Sequence, residues 1–415
     1  MPRPTRQPES APAAKATQTR PMPDSSKPRM TPDERRASVA LAALFACRML
    51  GLFLLLPVFA VAAAGLPGGD DPARVGLALG MYGLTQAFMQ IPFGIASDRW
   101  GRRPVVMAGL VLFVAGSVVC ALADDVFWIT VGRAIQGAGA ISAAVTAWLA
   151  DATRPEVRTR AMAMVGGSIG LSFALSLLLA PLLVGWGGLT GLFWTIACLG
   201  VACMAVAWFR VPVVPRGAPS MNRARARDAL WDPDLMRLNF GVFCLHFIQV
   251  GLFVVVPGLL ARSGGLGAAD LWKVYLPVIL GSFVLMVPAI FATERRRAHR
   301  NALRFSVMGL VAVCALLPWA SGAGFYPLAL ALTGFFVMFN ILEALQPSLV
   351  SRAAPAEFKG LALGVYNTAQ ALGLFLGGFL GGWLATHGGP DLVFWVAAGL
   401  SAAWLVVTWA LRRSV

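Results

Sequence analysis

The chain has 415 residues, of which 58% are hydrophobic and only 13% charged, and its mean hydropathy is +0.72. This composition is too apolar for a soluble globular protein. The apolar residues form runs of about 20, the length at which a helix crosses a bilayer core of about 30 Å, so the sequence predicts an all-α membrane protein.

Apolar stretches of this length follow one another from residue 39 almost to the end of the chain. Prolines and glycines inside several of them do not argue against helices, because neighbouring helices satisfy the freed backbone groups in lipid. The predicted transmembrane helices are twelve in number, at 39–62, 75–95, 104–123, 126–150, 160–183, 190–209, 238–261, 271–292, 303–320, 325–350, 360–385 and 391–411.

Lysine and arginine are distributed unevenly between the segments that connect these helices. With the N-terminus inside, 29 of the 34 lie in inner segments, and the outer segments hold Arg74, Arg262 and Lys273. The positive-inside rule then puts both termini in the cytoplasm of a bacterial-type inner membrane. The net charge of +15 reflects this topology, and we expect no nucleic-acid partner.

Polar segments and an internal repeat divide the chain into two halves. "RPEVRTRAMAMVGGSIG" at 154–170 matches "APAEFKGLALGVYNTAQ" at 354–370, an offset of about 200 residues. Two parallel six-helix halves would enclose a substrate site near the membrane midplane. The predicted division is a disordered cytoplasmic tail (1–37), an N-terminal half (38–210), a cytoplasmic linker (211–237), a C-terminal half (238–411) and a short cytoplasmic end (412–415).

Charge is concentrated in one short turn, "GIASDRWGRR" at residues 94–103. A tight turn between two helices needs glycine where backbones approach closely. An aspartate at the membrane edge can cap a helix or pair with arginine, and such a pair can form in one conformation and break in another. A loop that only sets topology would need the arginines alone, so the aspartate favours a conformational latch.

This turn resembles the signature that follows the second helix of the major facilitator superfamily. The matching residues are Gly94, Asp98, Arg99, Gly101, Arg102 and Arg103. The resemblance implies twelve transmembrane helices in two six-helix pseudo-symmetric halves. It also implies that the turn and Asp151 latch the outward-open state by docking near Gly360. Longer stretches such as "LEALQPSLVS" resemble one bacterial inner-membrane branch of the family, grouped with proton-coupled drug exporters.

Ionisable side chains within the spans are candidates for a functional role, because inserting each into the membrane costs about 2.5–3.5 kcal/mol of free energy on insertion scales. Glu343 is the acid deepest within a span, and burial makes its charged form costly, so it is the first candidate for a proton site. A structural acid close to Pro347 is the alternative. His246 is the second candidate, since histidine titrates in the useful range; a packed hydrogen-bonding histidine is the alternative.

Two arginines complete the proton-coupling candidates. Arg48 lies near the midplane of the first helix, where it would serve as an anion-binding charge, a gating charge or the partner of an embedded acid. Arg133, in "RAIQGAGA", resembles the helix-four motif of the superfamily, in which the arginine is thought to assist proton transfer. A structural arginine that bonds a carbonyl or snorkels outward is the alternative.

Polar and small residues in the spans can either contact a ligand or hold helices together. Gly373, Gly377 and Gly381 have the GxxxG spacing that favours close helix packing over ligand contact. A set of amides would line a central cavity or else join helices through hydrogen bonds. These cavity-lining candidates are Gln86, Gln249, Asn340, Asn367 and Gln370.

No enzyme is expected from this sequence. The six cysteines form no CxxC pair, and three histidines without clustered acids leave no material for a metal site, so we expect neither a metal nor another cofactor. A Gly-Lys-Ser/Thr phosphate loop is lacking, which argues against ATP-driven transport.

The function that these features favour is secondary active transport by rocking of the two halves. We expect proton-coupled export of small amphipathic compounds by a monomer whose partners are its substrate, protons and the lipid bilayer. Arg48 stands where many drug/proton antiporters carry an acid, which favours the alternative of uptake or exchange of a small organic anion or nutrient. A receptor or scaffold without transport is a second alternative, against which the latch argues.

Overall fold

The computed structural model describes residues 30–212, 231–296, 298–355 and 358–411, and these ranges are helical with no strand. Residues 1–29 of the predicted tail, most of the predicted linker and the predicted end at 412–415 lie outside these ranges. The helices are α1 (Pro32–Phe53), α2 (Phe59–Ala62), α3 (Pro72–Trp100), α4 (Arg102–Ala121), α5 (Val126–Ala138), α6 (Ser142–Asp151), α7 (Pro155–Phe209), α8 (Pro233–Gly264), α9 (Trp272–Arg296), α10 (His299–Ala323), α11 (Phe325–Ala353) and α12 (Lys359–Trp409).

Two of these helices are far too long for one membrane crossing. α7 has 55 residues and α12 has 51, whereas about 20 residues span a bilayer core. The backbone leaves helical geometry at Gly187 and Gly188 in α7 and at Gly389 in α12. Gly188 and Gly389 have φ values of 63° and 69°, which glycine adopts without a Cβ clash. Each of the two helices therefore forms two spans.

Short breaks also interrupt two of the predicted spans. α1 and α2 together form the first span, and α5 and α6 form the fourth, which is broken around Gly139. A Cβ at Gly139 would lie 2.2 Å from the carbonyl oxygen of Gly109, so only glycine fits between these helices. Over the described ranges the spans then number twelve, which confirms the predicted helix count.

Several helices, α1 and α8 among them, begin before the bounds expected from hydropathy. α1 starts at Pro32 and not at 39, so the final residues of the predicted tail are helical. Thr31 and Glu34 form a reciprocal capping box at its start. α8 starts at Pro233, inside the predicted linker, and the side chain of Asp232 caps it. Hydropathy detects the apolar part of a helix, whereas caps and an N-terminal proline extend it through a polar first turn.

The bundle has two chemically different ends. The arginine-rich end contains the start of α1, the α3–α4 turn and the ends of α6 and α11, with Arg102, Arg154 and Arg352 among its side chains. The opposite end contains the start of α3 at Pro72 and the break of α12 at Gly389.

The two halves meet at the opposite end through a glycine seam, formed by Gly76, Gly80 and Gly83 of α3 against α12. A Cβ at Gly76 would lie 2.1 Å from the carbonyl oxygen of Gly378. At Gly80 and Gly83 the corresponding distances, to the carbonyl oxygens of Phe375 and Ala371, are both 2.5 Å. Side chains cannot fit there, so the halves close tightly against each other at this end.

A second set of glycines joins α8 to α12 inside the C-terminal half. A Cβ at Gly373 would lie 2.5 Å from the carbonyl oxygen of Phe243, and one at Gly377 would lie 2.3 Å from that of Phe247. Gly381 packs on Gly251 in the same way, at 2.8 Å from its Cα. The predicted close packing of these glycines is confirmed.

Candidate functional site

A polar cluster lies inside the C-terminal half, where α8, α11 and α12 meet. The close backbone packing around Gly373 brings Gln370, one turn earlier on α12, against His246 of α8. The Gln370 amide nitrogen lies 2.6 Å from His246 Nε2, and Glu343 Oε2 of α11 lies 3.6 Å from the same nitrogen. We call these three residues the histidine–glutamate cluster.

The hydrogen bonds of His246 define its neutral form. Nδ1 lies 3.0 Å from the carbonyl oxygen of Val242, which can only accept, so Nδ1 carries the proton. Nε2 is then an acceptor for the Gln370 amide. Glu343 Oε2 is buried and has no hydrogen-bond partner within the described part of the chain. The cluster therefore has room for one more proton between the imidazole and the carboxylate.

Exposure differs between the two titratable members. The Glu343 side chain is 14% exposed, whereas that of His246 is 1% exposed. The hydroxyl of Tyr366 on α12 is also buried without a partner among the described residues. Glu343 is thus the less enclosed of the two titratable side chains, although its Oε2 is buried.

A second polar cluster, the arginine cluster, lies in the N-terminal half and consists of Arg48, Tyr82 and Arg133. The guanidinium carbons of Arg48 and Arg133 lie 5.7 and 4.7 Å from the centre of the Tyr82 ring. All three side chains are fully buried. Cation–π contact with tyrosine stabilises arginine only modestly, so it leaves most of the charge uncompensated.

Each arginine is held by one hydrogen bond from Nη1. Arg48 donates to Ser142 Oγ of α6 at 3.1 Å, and Arg133 donates to Gln136 Oε1 at 2.9 Å. Gln136 is in turn fixed by Ser117 at 2.8 Å. In the described part of the chain neither guanidinium forms an ion pair with a carboxylate, so Arg48 is not the partner of an embedded acid there.

Each cluster has a member next to a residue of the glycine seam. Tyr82 precedes Gly83, which packs on Ala371, and Ala371 follows Gln370. The arginine cluster and the histidine–glutamate cluster therefore lie on either side of one contact between the halves.

The predicted latch residues form a network at the arginine-rich end. Arg102 contacts Asp98 through Nη1 and donates from Nε to Asp151 Oδ2 at 2.8 Å. Gly101 makes the turn with a φ of 98°. Gly94 faces Ala143 of α6, so the turn packs on the fourth span.

The remaining arginines of this turn have separate positions. Arg99 is exposed. Arg103 donates to the carbonyl oxygen of Val211 at 2.6 Å and stacks over Trp208, which ties α4 to the end of α7. Docking of the network near Gly360 stays a prediction.

The five cavity-lining candidates differ in their hydrogen bonds and burial. Asn340 donates to Ser282 Oγ at 3.1 Å and Gln370 bonds His246, so these two join helices. Gln249 is fully buried with both amide atoms unpartnered among the described residues, and Gln86 keeps a free oxygen. Asn367 is half-buried.

Sequence reasoning missed Tyr82 and Ser142, which lie at the centre of the arginine cluster. A lone tyrosine or serine in an apolar span carries no local signal. The chain has only four tyrosines, and this scarcity was the one hint in the sequence. The structure shows that three of them, Tyr82, Tyr275 and Tyr366, are buried.

Comparison with known proteins identifies the class to which this architecture belongs. The model of the Major Facilitator Superfamily matches residues 41–378 and 344–415. The chain belongs to this family of membrane transport proteins and is not an enzyme, as predicted. A solved D-xylose–proton symporter shares the fold, with a TM-score of 0.71 and 14% identity over 91% of this chain and 98% of that one.

The sequence is also similar to particular bacterial transporters. The inner membrane transport protein YajR of Escherichia coli (strain K12) is 44% identical over 390 residues, which cover 93% of this chain and 85% of that protein. An uncharacterized transporter of Buchnera aphidicola subsp. Acyrthosiphon pisum (strain APS) is 30% identical over 83% of this chain and 89% of its own. The chain is thus a YajR-type transporter and a multi-pass inner-membrane protein.

Proposed function

We propose that this chain is a proton-coupled secondary active transporter in which the histidine–glutamate cluster carries the proton. The observation that supports this is the 3.6 Å separation of His246 Nε2 and Glu343 Oε2 inside the bundle. An acid and a base at this distance can share one proton. A carboxylate without a partner in a membrane interior is costly, and a proton or a cationic neighbour removes that cost.

The proton would act on the contact between α8 and α12. In the neutral cluster Gln370 donates to His246 Nε2. A proton on Nε2 turns this acceptor into a donor. The Gln370 amide nitrogen can then no longer donate its hydrogen bond to Nε2, and an ion pair with Glu343 is favoured. Because α12 also forms the glycine seam with α3, this change would bias the contact between the two halves.

The proposal includes the orientation of the chain in the membrane and the direction of transport. The concentration of arginine supports placing the arginine-rich end, with both termini, in the cytoplasm. The sequence resemblance to proton-coupled drug exporters supports export of small amphipathic compounds. Uptake or exchange of a small organic anion is the second candidate, which the lack of a carboxylate partner for Arg48 and Arg133 among the described residues favours.

The test is a proteoliposome assay with an imposed pH gradient and a pH-sensitive dye inside. A panel of organic cations, anions and sugars is added to wild type, to Glu343→Gln and to Asp270→Asn. Asp270 is the matched control, because it is an acid in a connecting turn that pairs with Lys273 at 2.7 Å.

We expect at least one compound to move protons with wild type and with Asp270→Asn, and Glu343→Gln to abolish that movement. Proton movement that Glu343→Gln leaves unchanged would remove the carboxylate from the coupling mechanism. Direction follows from whether the active compound accumulates in the liposomes or leaves them.

A further inference from the structure

We propose that the arginine cluster is the binding site for an oxyanion, a carboxylate, sulfonate or phosphate group, on the transported molecule. The proposal rests on the transport function proposed above, and it assigns the charge of the substrate and the residues that recognise it. Arg48 and Arg133 would bind the oxyanion, and both guanidiniums lie near the ring of Tyr82.

The first argument is the charge balance. Arg48 and Arg133 are both fully buried against the same tyrosine ring, so they repel each other in a medium of low dielectric constant. Buried charges in proteins are normally paired or bind an ion. Within the described ranges, arginines at the surface such as Arg102 and Arg154 have carboxylate partners, whereas these two do not.

The second argument is the edge of each guanidinium that is left free. In both arginines Nη1 is the bonded atom, to Ser142 in one case and to Gln136 in the other. Nε and Nη2 of both have no partner in the described part of the chain. These two nitrogens form the edge that donates two parallel hydrogen bonds to an oxyanion. The existing bonds therefore orient both guanidiniums with their anion-binding edges unused.

The third argument concerns the other free groups at the same place. The hydroxyl of Tyr82 and Oε1 of Gln86, one turn further along α3, are also buried without partners among the described residues. A hydroxyl can donate to an anion, and it costs free energy when it is buried without a partner. The unsatisfied groups around the ring are thus mostly donors, which suits an acceptor ligand.

Access to the site depends on the glycine seam. The cluster is fully buried in this arrangement, so an anion reaches it only when neighbouring helices separate. Tyr82 adjoins Gly83, which packs on Ala371 across the seam. Separation of α3 from α12 would therefore uncover the cluster toward the end opposite the arginine-rich end.

The experiment measures equilibrium binding, without any pH gradient, to the full chain in lipid nanodiscs. Four probes share a benzene ring and differ in charge: benzenesulfonate, benzoate, benzyl alcohol and benzyltrimethylammonium. Dissociation constants come from the rise of melting temperature with probe concentration. The variants are Arg48→Gln, Arg133→Gln and the charge-retaining lysine variants of both, with Arg74→Gln, an exposed arginine in the first turn of α3, as control.

We expect the two anions to stabilise wild type and Arg74→Gln more than the neutral and cationic probes do. Each glutamine variant should weaken anion binding about tenfold or more, the size expected for hydrogen bonds to a charged group. The lysine variants keep the charge but lose the paired donors, so their loss should be smaller. Without a probe, each glutamine variant should melt at a higher temperature than wild type, because an uncompensated buried charge is removed.

Two results would overturn the proposal. One is equal stabilisation of wild type by anionic, neutral and cationic probes. The other is a set of folded arginine variants that bind the anions as tightly as wild type, or that melt lower and keep the anion response, which would make the arginines structural. A failure of proton movement in the Glu343 assay would leave these binding results unaffected, so the two proposals fail separately.

Discussion

The two halves of the transporter have similar helices but opposite chemistry at corresponding places. α1 and α6 meet through Arg48 and Ser142 in the N-terminal half, and α8 and α11 meet through His246 and Glu343 in the C-terminal half. The segments "GLFLLLP" at 51–57 and "GLFVVVP" at 251–257 show how similar the first helices of the halves are.

This comparison shows that the repeat preserves backbone geometry and not charge. One half buries two cations that have no carboxylate partner among the described residues, and the other buries an acid beside a neutral histidine. Proton and substrate chemistry can then occupy different halves, with the glycine seam between them. A proton in one half and a ligand in the other would influence each other through that shared contact.

The largest effect is expected at the glycine seam, where the two halves meet. Gly80→Leu would place a side chain where a Cβ already lies 2.5 Å from the carbonyl oxygen of Phe375. The seam could not close, so transport-linked proton movement in proteoliposomes should be abolished. Gly399→Leu is the control, because a Cβ at Gly399 has nothing within 4 Å. Normal activity of Gly80→Leu would show that seam closure is not required for transport.

A smaller effect is expected when the base is removed from the C-terminal half. His246→Gln keeps a hydrogen-bonding group opposite Gln370 but cannot carry the proton. We expect substrate-dependent proton movement to fall about a hundredfold, the lower end of the effect of positioned acids and bases. His387→Gln, at an exposed histidine of α12, should leave the rate unchanged. Full activity of His246→Gln would assign the proton to Glu343 alone.

A still smaller effect is expected from the tyrosine ring that both arginines contact. Tyr82→Phe keeps the cation–π contacts and removes a hydroxyl that has no partner among the described residues. We expect benzenesulfonate to bind several-fold more weakly, about 1 kcal/mol, and the melting temperature without a probe to be no lower than that of wild type, because a buried hydroxyl without a partner is removed. Tyr326→Phe, at an exposed tyrosine, is the control. A large fall in the melting temperature of Tyr82→Phe would indicate a structural hydroxyl.

The smallest effect is expected outside both clusters. Glu34 accepts hydrogen bonds from Arg154 at 2.8 and 3.2 Å at the arginine-rich end. Arg154 is about half exposed, so Glu34→Gln should lower the melting temperature only slightly and leave anion binding unchanged. Glu156→Gln, at an exposed acid in the first turn of α7, should change neither. Altered anion binding in Glu34→Gln would mean that the arginine cluster responds to distant changes.

Much of the fold could be predicted from sequence because its signals are local. Twenty apolar residues specify a span whatever surrounds them, and Gly94 to Arg103 form a recognisable turn. The helix starts at Pro32 and Pro233 were missed because hydropathy does not detect caps. The halves of α7 and α12 were separated correctly because glycines interrupt the apolar runs near the turns.

The sequence alone determined that this is a twelve-helix transporter of two repeated halves. It also identified Arg48, Arg133, His246 and Glu343 as ionisable side chains within the spans, where they are costly and so point to a function. Only the tertiary structure decided how these side chains are grouped. Apolar helices are compatible with many neighbours, since lipid-facing and protein-facing surfaces have similar composition. Close glycine contacts select the neighbours, and they put a tyrosine near two arginines and an amide against a histidine.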